Sequence, residues 1–339
     1  MDLTTSYLGL TLANPVVASA SPLSQTVDGV RELADAGVGA IVLYSLFEEQ
    51  VRRQEVEELY VSELHEESFG EARTYFPQAP SVGFGGVAPY LHHVERSVAA
   101  VDVPVIASLN GSSRGGWTRI ARSMQDAGAA ALELNVYAVP GDLRASGAGV
   151  EQRHLDILHS VKDVVSIPVA VKLSPFFSST GRMCAELDAA GADGLVLFNR
   201  FLQPDIDIEN LRVTPSVSLS TTTEARLPRT WIAILHGHVK ASLAATTGVE
   251  TSEDVVKYLL AGADVVMTAS ALLRHGAGHA RRLVDGTSEW LSRKGYHSVG
   301  AARGLLAVGP DVEAGAFERA GYVAALRVAR STYGDLRAD

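Results

Sequence analysis

A short pattern recurs along the chain: an amphipathic segment ends at Ala-Gly, and an apolar run rich in β-branched residues or leucine follows. Glycine suits the left-handed residue that ends many helices, and an uninterrupted apolar run is typical of a parallel strand buried on both faces. Each copy therefore predicts a joint between a helix and the next strand. The copies lie at Asp35–Ser45, Asp126–Asn135, Ala189–Asn199 and Leu260–Ser270.

The segments between these joints complete an alternation of strands and helices. Strands are predicted near residues 14–20, 40–46, 104–109, 131–136, 168–174, 194–199, 242–247 and 264–269. Helices are predicted near residues 24–36, 89–100, 116–128, 151–165, 179–190, 251–261 and 279–294. This strand count predicts an α/β protein with the (β/α)8 TIM barrel fold, and a doubly wound sheet is the alternative.

Two segments interrupt the alternation, and neither resembles a linker. Residues 47–86 are charged and aromatic, and residues 200–229 are rich in Ser and Thr. We expect both to be insertions over the C-terminal mouth of one barrel domain that spans residues 1–339.

Composition narrows the possible partners and compartments. The net charge of −10 argues against nucleic acid or an anionic membrane surface as the main partner. The single cysteine, Cys184, lies mid-helix and cannot form a disulfide within the chain or hold an iron–sulfur cluster alone. The sequence has no signal-peptide pattern and no apolar run of about 18 residues. We therefore expect a cytoplasmic protein.

Polar residues collect at the predicted C-terminal strand ends, where barrels of this kind place their chemistry. Lys172 lies inside the apolar run VAVKLSP, and burying an ammonium without a partner costs several kcal/mol. We therefore assign Lys172 a function in preference to a structural ion pair. Asn110, Asn135 and Asn199 end three other strands and form a hydrogen-bonding set suited to a flat heterocycle or an amide.

The last two predicted strands end in small and hydroxyl residues. Thr247 and Gly248 precede a helix, and Thr268–Ser270 ends the next strand. Barrels often build a phosphate site from the loops after strands seven and eight. The sequence therefore predicts a phosphate-binding loop here.

These segments resemble, in order and over nearly the whole chain, the dihydroorotate dehydrogenase family of FMN-dependent barrels. LGLTLANPVVASAS resembles that family's N-terminal β-hairpin and first strand. LELNV, VAVKLSP and LVLFN resemble its fourth, fifth and sixth strands, and TTGVETSEDVVKYLLAGADVVMTASALL resembles its phosphate-binding segment. The resemblance implies hydride transfer between flavin N5 and a small substrate, by an oxidoreductase that acts on CH–CH groups in pyrimidine biosynthesis.

The resemblance also implies roles for individual residues. Lys172 would lie at the N1–O2 edge of the flavin and stabilise the negative charge of the reduced ring. Asn135 and Asn199 would bind the substrate or the flavin edge. The residues implied to contact FMN are Ala18, Ser19, Ser45, Asn110, Asn135, Lys172, Gly237, Thr247, Gly248, Ala269 and Ser270.

One departure concerns the proton-abstracting Cys or Ser that the family places in the loop after its fourth strand. Here the loop is NVYAVPGD, so that position falls on Tyr137 or Ala138. Loss of a general base typically costs about 10²–10⁴-fold in rate, so dihydroorotate is not the assured substrate. Tyr137 is the leading replacement. Weaker candidates for the base, or for lining the pocket, are Tyr44, Ser146, His236 and His238.

Three functions therefore stay open at this point. The first is an FMN-dependent oxidoreductase whose small-molecule substrate need not be dihydroorotate, and whose electron acceptor is unknown and could be a partner redox protein. The second is a flavin-binding or accessory subunit without dihydroorotate dehydrogenase activity. The third is a flavin-free barrel lyase that uses Lys172 as a Schiff-base amine. The resemblance also suggests a homodimer.

Overall fold

The eight predicted strands close into a parallel barrel. The computed structural model describes residues 1–51, 86–111, 117–137, 141–200, 204–214, 218–309, 311–312 and 314–333. The strands are β1 Thr5–Tyr7, β2 Leu10–Leu12, β3 Val16–Ala18, β4 Ala40–Phe47, β5 Val105–Gly111, β6 Ala131–Val136, β7 Val169–Leu173, β8 Gly194–Leu197, β9 Asp205–Asp207, β10 Arg212–Thr214, β11 Ser242–Ala245 and β12 Val265–Thr268. The barrel order is β11-β12-β3-β4-β5-β6-β7-β8, and β8 pairs with β11. Closure excludes the doubly wound sheet and confirms the (β/α)8 TIM barrel.

Helices follow the barrel strands. They are α1 Val27–Asp35, α2 Val87–Val98, α3 Trp117–Asp126, α4 Gly147–Lys162, α5 Thr180–Ala189, α6 Arg226–Leu235, α7 Ser252–Ala261, α8 Ser270–His275, α9 His279–Arg293, α10 Val299–Ala302 and α11 Ala314–Tyr333. Each predicted helix is present within a few residues of its expected bounds. Within the described ranges, no helix is both long enough and apolar enough to cross a membrane.

The predicted insertions are only partly described. Residues 52–85 of the first one lie outside the described part of the chain. The second contains the β9–β10 hairpin and a 3-10 turn at Thr222–Ala225. It ends before residue 229, because α6 begins at Arg226 and buries Ile232 and Leu235.

An N-terminal β-hairpin closes the bottom of the barrel, as the resemblance implies. β1 and β2 pair antiparallel, and their turn uses Leu8 and Gly9 at φ 54° and 74°. The Leu8 N–H donates to Ser242 Oγ at 3.1 Å, at the start of β11. Tyr7 and Leu12 pack in the apolar cluster inside the barrel. The chemistry is therefore left to the opposite, C-terminal end.

Candidate active site

The barrel interior carries one buried ammonium near its C-terminal mouth. Lys172 lies on β7 with only 7% of its surface exposed. Its Nζ donates to Glu133 Oε1 at 3.5 Å, a long hydrogen bond. Among the described residues, Glu133 is the one hydrogen-bond partner of this ammonium, so Nζ can donate further bonds to a ligand.

Three carboxamides lie beside this lysine. The strand registers pair Asn110 with Asn135 and Asn135 with Lys172, so the three side chains project from neighbouring strands at one level. Asn199 follows β8, and its Nδ2 donates to Asn135 Oδ1 at 2.7 Å. Amide groups beside an ammonium can orient a flat heterocycle with carbonyl and N–H groups along its edge.

Two adjoining cavities open at this mouth. One has a volume of about 350 Å³ and is lined by Ala20, Ser21, Pro22, Gln25, Tyr44, Ser45, Phe47, Gln50, Asn110, Asn135, Lys172 and Asn199. The other, of about 270 Å³, is lined on its inner side by Lys172 and Asn199 and on its outer side by Ser220, Thr247, Gly248, Ala269 and Ser270. The two share Ala20, Ser21, Pro22, Lys172 and Asn199; the cavity of about 350 Å³ is called the inner cavity and that of about 270 Å³ the outer cavity. Together they suit an elongated ligand with a ring at one end and an anionic group at the other.

The loop after β11 is shaped for close backbone approach. Thr247 and Gly248 both have positive φ, at 81° and 72°. A Cβ added to Gly248 would lie 2.7 Å from Thr221 O and from Ala225 N. Only glycine fits this position, because the backbone around the Thr222–Ala225 turn packs directly against the loop.

A serine from the second insertion engages the donors of this loop. Ser220 is 5% exposed. Its Oγ accepts from the Gly248 N–H at 3.2 Å and donates to Ser270 Oγ at 2.9 Å. An anion bound to the Gly248 amide would therefore take the position of the Ser220 hydroxyl or share its bonds.

Positive charge lies at the same end. Arg200 lines the outer cavity and its Nε donates to Glu224 Oε1 at 3.0 Å. Arg274 NH2 donates to the carbonyl oxygen of Ser220 at 3.2 Å, and its NH1 pairs with Glu250. Both arginines are ion-paired, with Glu224 and Glu250, and they hold the segment around Ser220 against the mouth.

Tyr44 lines the inner cavity as a neutral phenol. Its ring packs edge-on to Tyr90 with a centroid distance of 5.1 Å. Burial raises the pKa of Tyr44 above its ordinary value of 10.0. At neutral pH the side chain can donate a proton but cannot serve as a base, which argues against one of the sequence candidates.

Gly237 and the two neighbouring histidines lie at the other end of the barrel, so their predicted roles are corrected. Gly237 precedes β11 and lines a cavity of about 490 Å³ at the N-terminal face, with His236 and Arg303. His236 Nδ1 bonds to the carbonyl oxygen of Gly262 at 3.1 Å, and His238 is exposed. A loop that leads into a strand cannot reach a ligand at the strand's C-terminal end.

The remaining described base candidates are not among the residues that line these two cavities. Tyr137 is half-buried after β6, and it is absent from the described lining of both cavities. Ser146 is exposed and caps α4 by accepting from the Gly149 N–H at 3.1 Å. Ala138 lies outside the described residues. The described part of the site therefore offers no ready base at the expected loop.

Ala18, a predicted FMN contact, and Cys184, which was not a predicted site residue, are both buried away from the two cavities. Ala18 is 1% exposed within β3 and contacts neither cavity, while Ser19 beyond it lines the outer one. Cys184 is fully buried in α5, and burial raises the pKa of its thiol to about 12. Such a thiol is inert.

Glu133 and Ser220 belong to the site but were not among the predicted residues. Glu133 stands inside the apolar run LELNV, which is the same signal that singles out Lys172 in VAVKLSP. Ser220 lies in a Ser/Thr-rich stretch without any local signal, and its partner Ser270 is 50 residues away.

Comparison with known proteins agrees with this geometry. The family model for dihydroorotate dehydrogenase matches residues 2–291. The putative dihydroorotate dehydrogenase A (fumarate) of Aeropyrum pernix is 28% identical over 214 residues, 60% of this chain and 68% of that protein. The dihydroorotate dehydrogenase B (NAD(+)) catalytic subunit is 24% identical over 306 residues in Thermoplasma acidophilum and 26% over 302 residues in Methanosarcina mazei. These two alignments each cover 88% of this chain, and 96% and 93% of the relatives. The chain therefore belongs to the dihydroorotate dehydrogenase family, and it is a flavin-dependent oxidoreductase that acts on CH–CH groups.

Proposed function

We propose that the protein binds FMN at the C-terminal mouth and transfers hydride between flavin N5 and a small substrate in the inner cavity. The observation that carries this proposal is the buried Lys172 ammonium, which faces both cavities and has a single described partner. A structural ion pair alone would not need an opening on each side.

The residues present fit FMN. The inner cavity offers a flat ring the Lys172 ammonium and three carboxamides, and the outer cavity offers a phosphate the Gly248 amide, the Ser220 and Ser270 hydroxyls and the charge of Arg200. FMN, when bound, supplies N5 as the hydride donor or acceptor. A lyase that uses Lys172 as a Schiff-base amine has no use for the outer cavity.

The chain's own residues would divide the work. Lys172 places a fixed positive charge where negative charge develops on the ring, which stabilises that charge without reorganisation. Asn110, Asn135 and Asn199 orient the ring edge and the substrate. Tyr44, protonated at neutral pH, suits proton donation to a substrate better than proton abstraction from one.

The substrate stays a proposal, with dihydroorotate as the first compound to test. The relatives are named for it, whereas in this chain the position that the resemblance implies for a Cys or Ser falls on Tyr137 or Ala138. We propose that the substrate is small and need not be dihydroorotate, and that solvent or a tyrosine handles the proton.

A protein partner could exchange electrons with the flavin. The two B-type relatives are named as catalytic subunits of NAD(+)-dependent enzymes. The chain has one cysteine and cannot ligate an iron–sulfur cluster by itself. We propose that its electrons pass to or from a separate redox protein.

The visible spectrum of the purified protein tests the proposal. Flavin absorbance near 450 nm is a general property of oxidised flavins, and mass spectrometry of the cofactor released by heat should identify FMN. Anaerobic mixing with dihydroorotate, and of the reduced protein with orotate, then tests the substrate. A colourless protein that does not bind added FMN would contradict the proposal.

A further inference from the structure

Glu133 is a buried carboxylate for which the fold alone gives no reason. It lies in the middle of β6 with 1% of its surface exposed. Side chains alternate along a strand, so Glu133 projects inward with Ala131, a member of the apolar cluster inside the barrel. Its register partner on β7 is Ala170, a member of the same cluster.

The hydrogen bonding of this carboxylate is incomplete. Oε1 accepts from Lys172 Nζ at 3.5 Å, and Oε2 is buried without any hydrogen-bond partner. Replacement of a buried ion pair by apolar residues is often neutral or stabilising. A leucine here together with an apolar residue in place of Lys172 would suit the core, whereas removing Glu133 alone would leave the ammonium unpaired, so the reason for the carboxylate lies with Lys172.

The charge of Glu133 affects the pKa of a neighbouring side chain inside the barrel, but Glu133 does not line either cavity. Burial, and then the charge of Glu133, raise the pKa of Tyr7 well above 10.0. Glu133 itself lines neither cavity, whereas Lys172 lines both. Lys172 is therefore the described residue that links the carboxylate to a ligand at the mouth.

We propose that Glu133 is a positioning residue that holds the Lys172 ammonium at the mouth and offsets part of its charge. It thereby limits how strongly the site favours reduced over oxidised flavin. The inference rests on the proposed binding of FMN. Its logic is electrostatic: a full, unopposed ammonium would stabilise the negatively charged reduced ring more strongly.

Glu133→Gln tests this role, because glutamine keeps the shape and an oxygen acceptor for Lys172 while it removes the charge. The midpoint potential of bound FMN, measured by anaerobic dye equilibration, should rise. A tenfold stronger preference for reduced flavin corresponds to about 30 mV for a two-electron couple. Glu133→Asp withdraws the carboxylate from Lys172 and should shift the potential in the same direction by less, which provides a second variant if the first does not fold.

Two controls separate this role from a merely structural one. Glu186→Gln removes an equal charge from the surface of α5, where the side chain pairs with Arg182, and should leave the potential unchanged. In a Lys172→Met background, the ammonium that Glu133 holds at the mouth is absent, so Glu133→Gln should produce no rise.

The outcomes are distinct. A rise with Gln, a smaller rise with Asp and no rise without Lys172 support the role. Bound FMN whose potential is unchanged in both Glu133 variants overturns this inference and leaves the proposed function intact. A rise of equal size in the Lys172→Met background overturns the route through Lys172. A wild-type protein that binds no flavin overturns both proposals.

Discussion

The two ends of the barrel both contain cavities, yet they differ in how their polar groups are satisfied. The cavity at the N-terminal end is the larger of those described here, at about 490 Å³. Two of the groups that line it are already paired, Arg303 with Asp264 and His236 with the Gly262 carbonyl, and Lys240 is exposed to water. At the C-terminal mouth, the Lys172 ammonium has one long hydrogen bond and Glu133 Oε2 has none.

Cavity volume does not separate the two ends, because two adjoining cavities lie at the mouth, of about 350 and 270 Å³, whereas unmet hydrogen-bonding capacity does. Buried polar groups normally find partners, because an unpaired one costs about 1–3 kcal/mol. A buried ammonium that faces open space has a ligand as its natural partner. At the other end, Arg303 and His236 have protein partners and the Lys240 side chain is exposed to water, so none of these three described groups needs a ligand.

The largest expected effect comes from removing the charge at the mouth. Lys172→Met should lower the turnover number by about 10²–10³, the loss typical of one preorganised charge-stabilising donor. Lys240→Met is the matched control, since Lys240 is exposed and lines the N-terminal cavity. Equal turnover numbers for the two variants in a steady-state assay would contradict the assignment of the active site to the C-terminal end.

A matched pair of glycines tests the two ends next. Gly248 and Gly237 both have positive φ, at 72° and 82°, but a Cβ on Gly237 meets no atom within 4 Å. Either alanine variant should lose about 1–2 kcal/mol of unfolding free energy to left-handed strain. Gly248→Ala should lose about 1–3 kcal/mol more to its clash, and it should weaken FMN binding. Urea unfolding measures the stability of each variant, and a fluorescence titration measures its affinity for FMN. Weaker FMN binding by Gly237→Ala would indicate that the ligand binds at the N-terminal end of the barrel, against the proposal.

Ser220→Ala should have a smaller effect on stability, and the effect should be greatest in the flavin-free protein. The variant leaves the buried Gly248 N–H without its acceptor, which costs about 1–3 kcal/mol. A bound phosphate would supply a new acceptor for this N–H. Bound FMN should therefore reduce the difference in unfolding free energy between Ser220→Ala and the wild type, measured by urea unfolding. Thr223→Ala is the control, because its hydroxyl is exposed on the same segment. If FMN does not reduce the loss of unfolding free energy in Ser220→Ala, the Gly248 amide does not bind the phosphate.

The smallest effect concerns Tyr44. Its folded-state pKa is raised by burial above an unfolded value near 10. The folded state therefore binds the proton more tightly, and stability should fall as the pH rises above about 10. Tyr44→Phe should reduce that loss of stability. Below about pH 9, the pH–rate profile of the variant should show the same ionisations as that of the wild type. A basic limb near neutral pH that disappears in Tyr44→Phe would restore Tyr44 as a base.

The strands and most helices could be predicted because each is encoded locally. Apolar β-branched runs that follow Ala-Gly mark buried parallel strands, and Thr251 and Gly262 cap α7 as their sequence context suggests. α6 lay partly within the predicted insertion, because the Ser/Thr-rich stretch runs into it without a break.

Residues that line the cavities were named from two signals: a polar or small residue at a strand end, such as Asn135 or Gly248, and a residue that conflicts with its own surroundings. Lys172 in an apolar strand is such a conflict, and Glu133 is another that the same reasoning applies to. Gly237 precedes a strand, so its place at the N-terminal end follows from the order of elements. The bonds of Ser220 could not be predicted, because they depend on how two distant loops pack.

A crystal structure of the protein with FMN tests the central claim most directly. We predict flavin density at the C-terminal mouth, with the ring against Lys172 and Asn135 and the phosphate toward Gly248 and Ser270. FMN bound instead beside Arg303 at the N-terminal end, or a mouth that stays empty at saturating FMN, would contradict it.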